Sequence, residues 1–198
     1  MNNELIIYTH YGHLKFDKNQ FDRIQNRMFG VKPTGGFWAS RQNAQYGWKD
    51  WNRSEGYADC NENNKIDFTL KPNSRILEIH CVKDVDDMVE KYHVDLPDNI
   101  GHITMFGSLS DLPRTIDFEK ISEDYDAIEC FISDDRDLFY KLYTWDCDSI
   151  LVLNPNVVEP ILEKEQSIAD AILGNEVILC SDSCKEPISY CRNFNDER

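Results

Sequence analysis

The chain has 198 residues, enough for one domain with a sizeable core and too few for two comfortable ones. Hydrophobic residues make up 41% and charged residues 29%, the balance of a globular protein rather than a disordered one, and a net charge of -15 argues against nucleic-acid binding as the default. The opening MNNELIIYTH carries a short apolar run and no basic leader, so the expectation is a cytoplasmic protein with no signal peptide and no membrane contact.

In chain order, ELIIYTHY (residues 4 to 11) is β-rich and predicts a first strand with Thr9, His10 and Tyr11 at its end. Residues 17 to 30 place Phe21, Ile24 and Met28 at helical spacing behind Asp17 as a candidate N-cap, which predicts a short amphipathic helix closed by Gly30. KPTGG then forces a turn, and the paired Gly35 and Gly36 permit left-handed or close-approach geometry. FWAS, residues 37 to 40, follows as a second short strand.

RILEIHCV predicts a third strand and DVDDMVEKY a helix. From His93 to Tyr125, two Gly and two Pro predict loops with short strands. YDAIECFI is strand-like, DDRDLFYKLYTW helical, and DSILVLNP a continuous buried-type strand ended by Pro155. EPILEKEQSIADAILG predicts a last helix closed by Gly174. The resulting class is α+β in a single domain, residues 1 to 198, with strands spread along its length.

Seven cysteines, an odd number, do not read as a disulfide framework. Cys180, Cys184 and Cys191 could supply three thiolates to zinc, but no second CxxC or nearby His completes a site, so no metal is expected. G-x-S-x-G, P-loop and H-E-x-x-H motifs are all missing from the sequence.

Charge is distributed unevenly. Eight Lys and Arg against three Asp between Lys15 and Arg53 make a basic island of net +5, leaving -20 elsewhere. Within it, Phe37, Trp38, Tyr46, Trp48 and Trp51 crowd around the glycine pair. Rings at this density serve either as core and interface or as a slot that stacks a planar ligand while backbone amides approach it. Lys32, Arg41 and Lys49 would offset the charge of an anionic ligand. His10 is a candidate polar contact, Ser40 a ligand hydrogen-bonding group or a strand end, and Asp126, Glu129, Asp146 and Asp148 are candidate carboxylates beside strands.

The order of these pieces, YTHYG, then GGFWAS with AQY, then DSILVLNPNVVEPI, resembles the ADP-ribosyltransferase fold whose signature is His, Tyr and Glu on three separate strands. The resemblance runs discontinuously from about residue 4 to 161, leaving 162 to 198 as a C-terminal helix and tail. It implies split antiparallel or mixed sheets with peripheral helices, and NAD as substrate. His10 would hold the ribose near the nicotinamide. Trp38 would take the first stacking position and Tyr46 the second, with Thr9, Tyr11, Gly35, Gly36, Phe37, Ser40 and Trp48 around the ring, and Asp148 would stand in the place of the Glu. His10-Tyr11-Gly12 replaces the family's His-Gly, Trp replaces Tyr, and Asp is one methylene shorter than Glu. The implied activity is cleavage of the nicotinamide-ribose bond and transfer of ADP-ribose, with a protein acceptor favoured over nucleic acid. The alternatives are a catalytically silent nucleotide- or protein-binding module of the same fold, or an interaction protein of a phage or mobile element.

Overall fold

The structure, a computed structural model, describes residues 5–13, 15–27, 31–56, 60–61, 63–95 and 114–161. All of them belong to one compact unit, Met1–Ile161. The Cys180, Cys184 and Cys191 cluster lies outside the described residues, as does the predicted last helix beyond Ile161.

Nine strands are found among the described residues: β1 (Tyr8–Tyr11), β2 (Phe37–Arg41), β3 (Lys65–Leu70), β4 (Ile76–Ile79), β5 (His93–Asp95), β6 (Arg114–Ile116), β7 (Ala127–Cys130), β8 (Ser149–Val152) and β9 (Val158–Pro160). Four α-helices accompany them: α1 (Trp48–Glu55), α2 (Val82–Lys91), α3 (Phe118–Asp124) and α4 (Arg136–Lys141). Seven strands form one mixed sheet in the order β4-β7-β8-β2-β1-β3-β9, and β5 pairs β6 in a small second sheet. Only the edge pair β4 and β7 is parallel. A parallel pair needs a long crossover, and here α2, β5, β6 and α3 supply it.

The sheet separates two apolar layers. Side chains alternate across a strand, so Phe37 and Ala39 of β2 and Ile150 and Val152 of β8 enter one layer with Tyr8, Ile66 and Phe68. Leu151 of β8 and Ile128 of β7 enter the other, beneath Val85 and Met88 of α2, Phe118 and Ile121 of α3 and Leu138 of α4, and Trp38 packs against it. Ile128, Leu138 and Leu151 are wholly buried. Truncating any one to Ala removes transfer free energy and leaves a cavity, a cost of about 2–5 kcal/mol.

The helix expected over residues 17 to 30 is not formed. Asp17 does cap, accepting from the Asn19 N–H, but the cap opens only a 3-10 turn at Lys18–Gln20. Residues 21–27 then run without helix, and Gln25 bridges Thr34. Packing explains the difference. Phe21 lies against the layer of Phe37, whereas Ile24 is buried in the layer of Leu151. Residues three apart share one face of a helix and cannot serve two layers.

Two helices fall where none was expected. In α1, within the aromatic segment, the Asp50 carboxylate accepts from the Gly47 N–H and Gly56 closes the end at φ 76°. In α3, within the stretch read as loops and short strands, Asp117 accepts from the Lys120 N–H.

Candidate functional site

His10 lies one residue before the end of β1 and is half-buried. Its Nδ1 lies 2.6 Å from the Trp38 carbonyl oxygen, which can only accept, so Nδ1 carries the proton. Burial pushes the His10 pKa down from 6.5 to about 4, which keeps the ring neutral at pH 7 and leaves Nε2 as an acceptor. That acceptor faces Nδ1 of the exposed His13 at 2.7 Å. The His10 ring also packs against Phe37 at a tilt of 33°, centroids 4.2 Å apart.

Phe37, not Trp38, therefore shares the face of His10, because alternation along β2 sends consecutive side chains to opposite layers. Phe37 is only 5% exposed and is covered by Phe21 at 4.4 Å and Phe16 at 5.7 Å between centroids. A planar ligand would reach it only by displacing them.

On the opposite face, Trp38 meets Trp145 edge-on at 4.9 Å. The Lys32 Nζ lies 4.4 Å from the Trp38 ring centroid and 5.1 Å from that of Trp48. Thus one ammonium lies over both indole rings. The Tyr46 hydroxyl bonds Ser54 Oγ at 2.6 Å, and the Tyr46 carbonyl accepts from the Asp148 N–H. Asp146 Oδ2 pairs with Lys32 at 3.7 Å. Asp146 has φ 67°, the one non-glycine with positive φ among the described residues. Burial holds its carboxyl above, and the Lys32 amine below, their ordinary pKa values. The indole Nε1 of Trp48 is buried without a hydrogen-bond partner.

The glycine pair serves the chain itself. Gly35 and Gly36 have φ 80° and 72°. A Cβ on Gly35 would lie 2.4 Å from the Arg23 carbonyl oxygen, and one on Gly36 2.4 Å from Leu151 Cδ1. Their close approach is to residues 22–24 and to β8, so what they admit is protein.

Where β2 and β7 end and β8 begins lies a cleft of about 230 Å³, lined by Arg41, Gln45, Glu129, Phe131, Asp134 and Asp148 among others. Arg41 reaches across β8 to Glu129, donating from Nε and Nη2 to its two oxygens at 2.7 Å each. Glu129 is 2% exposed and also accepts from the Tyr8 hydroxyl at 3.3 Å. Burial and the adjacent carboxylate push the Tyr8 hydroxyl up, and Glu129 holds Arg41 firmly charged. A bidentate pair of this kind is strong and directional. Its cost of desolvation is met only while both partners are present.

Asp148 lies in the wall of this cleft, and its carboxylate is fully engaged. Oδ1 accepts from the Ile132 and Ser133 N–H groups at 2.8 and 2.9 Å, and Oδ2 from the Ser133 hydroxyl at 2.7 Å. Ser40 Oγ donates to the Asp148 carbonyl at 2.7 Å and accepts from the Trp48 N–H at 2.9 Å, joining β2, β8 and α1. Thr9 donates to Asp67 at 2.6 Å, and Tyr11 is half-buried opposite Lys65.

The structure thus brings the three strands of His10, Trp38 and Asp148 side by side as β1, β2 and β8, without bringing their side chains to one cleft. His10 and Phe37 share one face, and Trp38, Trp48 and Lys32 the other. A ribose contact at His10 fits the residues present. No nicotinamide seat is open beside it, since Phe16 and Phe21 cover Phe37 on that face, and on the other face Lys32 occupies the space over Trp38 and Trp48. Two of the three cations assigned to an anionic ligand are also spent, Arg41 on Glu129 and Lys32 on Asp146.

The Arg41–Glu129–Tyr8 cluster and the Lys32 cage had no motif to announce them. Strict alternation in FWASR and AIEC would have put Arg41 and Glu129 on one face. Burial lifts the thiols of Cys130 and Cys147, the latter to about 12, so both behave as core residues rather than nucleophiles. Among the described residues no helix is long and apolar enough to cross a membrane. No protein-family model, curated protein or solved structure matches the chain.

Proposed function

We propose that the chain is an ADP-ribosyltransferase-like domain that binds NAD or a closely related nucleotide through its ribose at His10, and that binding rather than cleavage is its principal activity. The observation that carries this reading is the state of His10. Its Nδ1–H is anchored on the Trp38 carbonyl, and its Nε2 is an acceptor satisfied only from an exposed side chain. A ribose hydroxyl can donate to Nε2 in place of His13 at little cost, because His13 regains water as it leaves.

Cleavage would need a carboxylate beside the breaking bond. Asp148 is held by three donors in the 131–135 turn, and Glu129 is neutralised by Arg41, so neither is free to stabilise a developing cation.

Binding is tested by thermal unfolding with NAD. At a hundredfold excess over Kd the ligand adds about 2.7 kcal/mol. For a domain of this size that raises Tm by roughly 5–10 °C. His10→Ala, folded by circular dichroism, should lose the shift. No shift in the wild-type protein at millimolar NAD overturns the reading.

A second reading, an active NAD-cleaving transferase, is favoured by the adjacency of β1, β2 and β8, of which β1 carries His10, β2 carries Trp38 and β8 begins directly after Asp148. Release of nicotinamide by the wild-type protein and its loss in Asp148→Asn would support it. A protein that is stabilised by NAD but releases none is a binding module.

A further inference from the structure

The cage around Lys32 lies on the helix-bearing face, away from His10, and carries an inference that does not rest on the ribose contact there. A chain that folds with an ammonium over two indoles has built a cation site, because the face of an indole attracts positive charge and an acidic wall adds to it. Trp38 and Trp48 are the aromatic walls, at 4.4 and 5.1 Å from Nζ, and Asp146 is the acidic one.

Three features mark the lysine as a poor permanent occupant. The ion pair with Asp146 is long at 3.7 Å, outside the range of a charge-assisted hydrogen bond. Burial disfavours the charged amine, whose N–H donors must leave water to enter the cage. The orphaned Nε1 of Trp48, on a wall of the same cage, is a donor still to be met.

We propose that Trp38, Trp48 and Asp146 form a site for a small permanent organic cation, and that Lys32 fills it at rest and must be displaced for the cation to enter. A quaternary ammonium or N-alkylated pyridinium keeps its charge without N–H donors, so it gains the two indole faces and the carboxylate at a smaller desolvation cost than lysine. Lys32, 20% exposed at its side chain, has solvent to withdraw into.

The test is isothermal titration of the full chain with tetramethylammonium, 1-methylnicotinamide and neutral nicotinamide. Lys32→Met keeps an unbranched stem and removes the competing charge. It should bind both cations roughly tenfold more tightly than wild type, the order of one desolvated cation–π contact. Neutral nicotinamide should bind neither protein comparably, and Asp146→Asn in the Lys32→Met background should weaken the cations severalfold.

Equal cation affinity in Lys32→Met and wild type overturns the proposal, as does nicotinamide binding as tightly as its methylated form. A measurement on the unmutated protein stands beside these. Saturating tetramethylammonium should raise the rate at which an acylating reagent labels Lys32, read residue by residue by mass spectrometry. An unchanged rate refutes displacement even if Lys32→Met fails to fold.

Discussion

Replacing Asp148 with Ala separates a structural carboxylate from a catalytic one. In the folded protein its Oδ1 takes two backbone N–H groups, that of Ile132 buried and that of Ser133 partly so, and its Oδ2 takes the Ser133 hydroxyl. Alanine strands the two N–H groups. An unpaired buried donor costs about 1–3 kcal/mol, so the Ile132 amide contributes about 2 and the half-wet Ser133 amide about 1, for a loss near 3 kcal/mol. The Ser133 hydroxyl can turn to water and adds little. For a unit of this length the Tm should fall by roughly 6–12 °C. Urea denaturation of wild type, Asp148→Ala, Asp148→Asn and Ser133→Ala measures it. Asn retains one acceptor oxygen and should lose about 1 kcal/mol, and Ser133→Ala no more than that. A strained catalytic carboxylate behaves in the opposite way, because its removal tends to stabilise. An alanine variant within about 0.5 kcal/mol of wild type would refute the assignment of Asp148 to the turn.

Two further outcomes follow from positions already described. The folded protein holds His10 neutral down to about pH 4, whereas the unfolded chain titrates near 6.5. Its contribution is thus complete above pH 6.5 and is lost as the pH falls from 6.5 toward 4. Chemical denaturation at a series of pH values should show a slope in this window that His10→Gln flattens. Gly36→Ala places a Cβ 2.4 Å from Leu151 Cδ1 at φ 72° and should cost over about 2 kcal/mol, while Gly12→Ala, at φ 108° with nothing within 4 Å, should cost about 1.

What the sequence disclosed depended on how local each signal was. β4 lies in an alternating apolar and polar stretch, and β7 and β8 in short apolar runs bounded by turn residues, so their positions are legible. The spacing of Phe21 and Ile24 was equally regular, yet periodicity does not say which of two layers a side chain will enter, and a helix was read where the chain divides itself between both. The ring beside His10 turned on parity. FWAS is legible as a strand, and counting along it puts Phe37 and Trp38 on opposite faces. The cage joins positions 32, 38, 48 and 146, and Asp148 is paired with 132 and 133 by a turn. Such contacts are products of tertiary assembly, and nothing in a local window encodes them.

The reach of Arg41 across β8 also sets a schedule. β2 has β1 on one side and β8 on the other, and the Tyr8–Glu129 bond that completes the cluster spans 121 residues. During synthesis at about 5–20 residues per second, β2 therefore waits on the order of ten seconds with one edge open and a guanidinium lacking its carboxylate. That unmatched charge on the waiting strand guards it, since a foreign strand docking there would have to bury the arginine without a partner. The pair that locks the finished sheet is, before it closes, protection against the wrong neighbour.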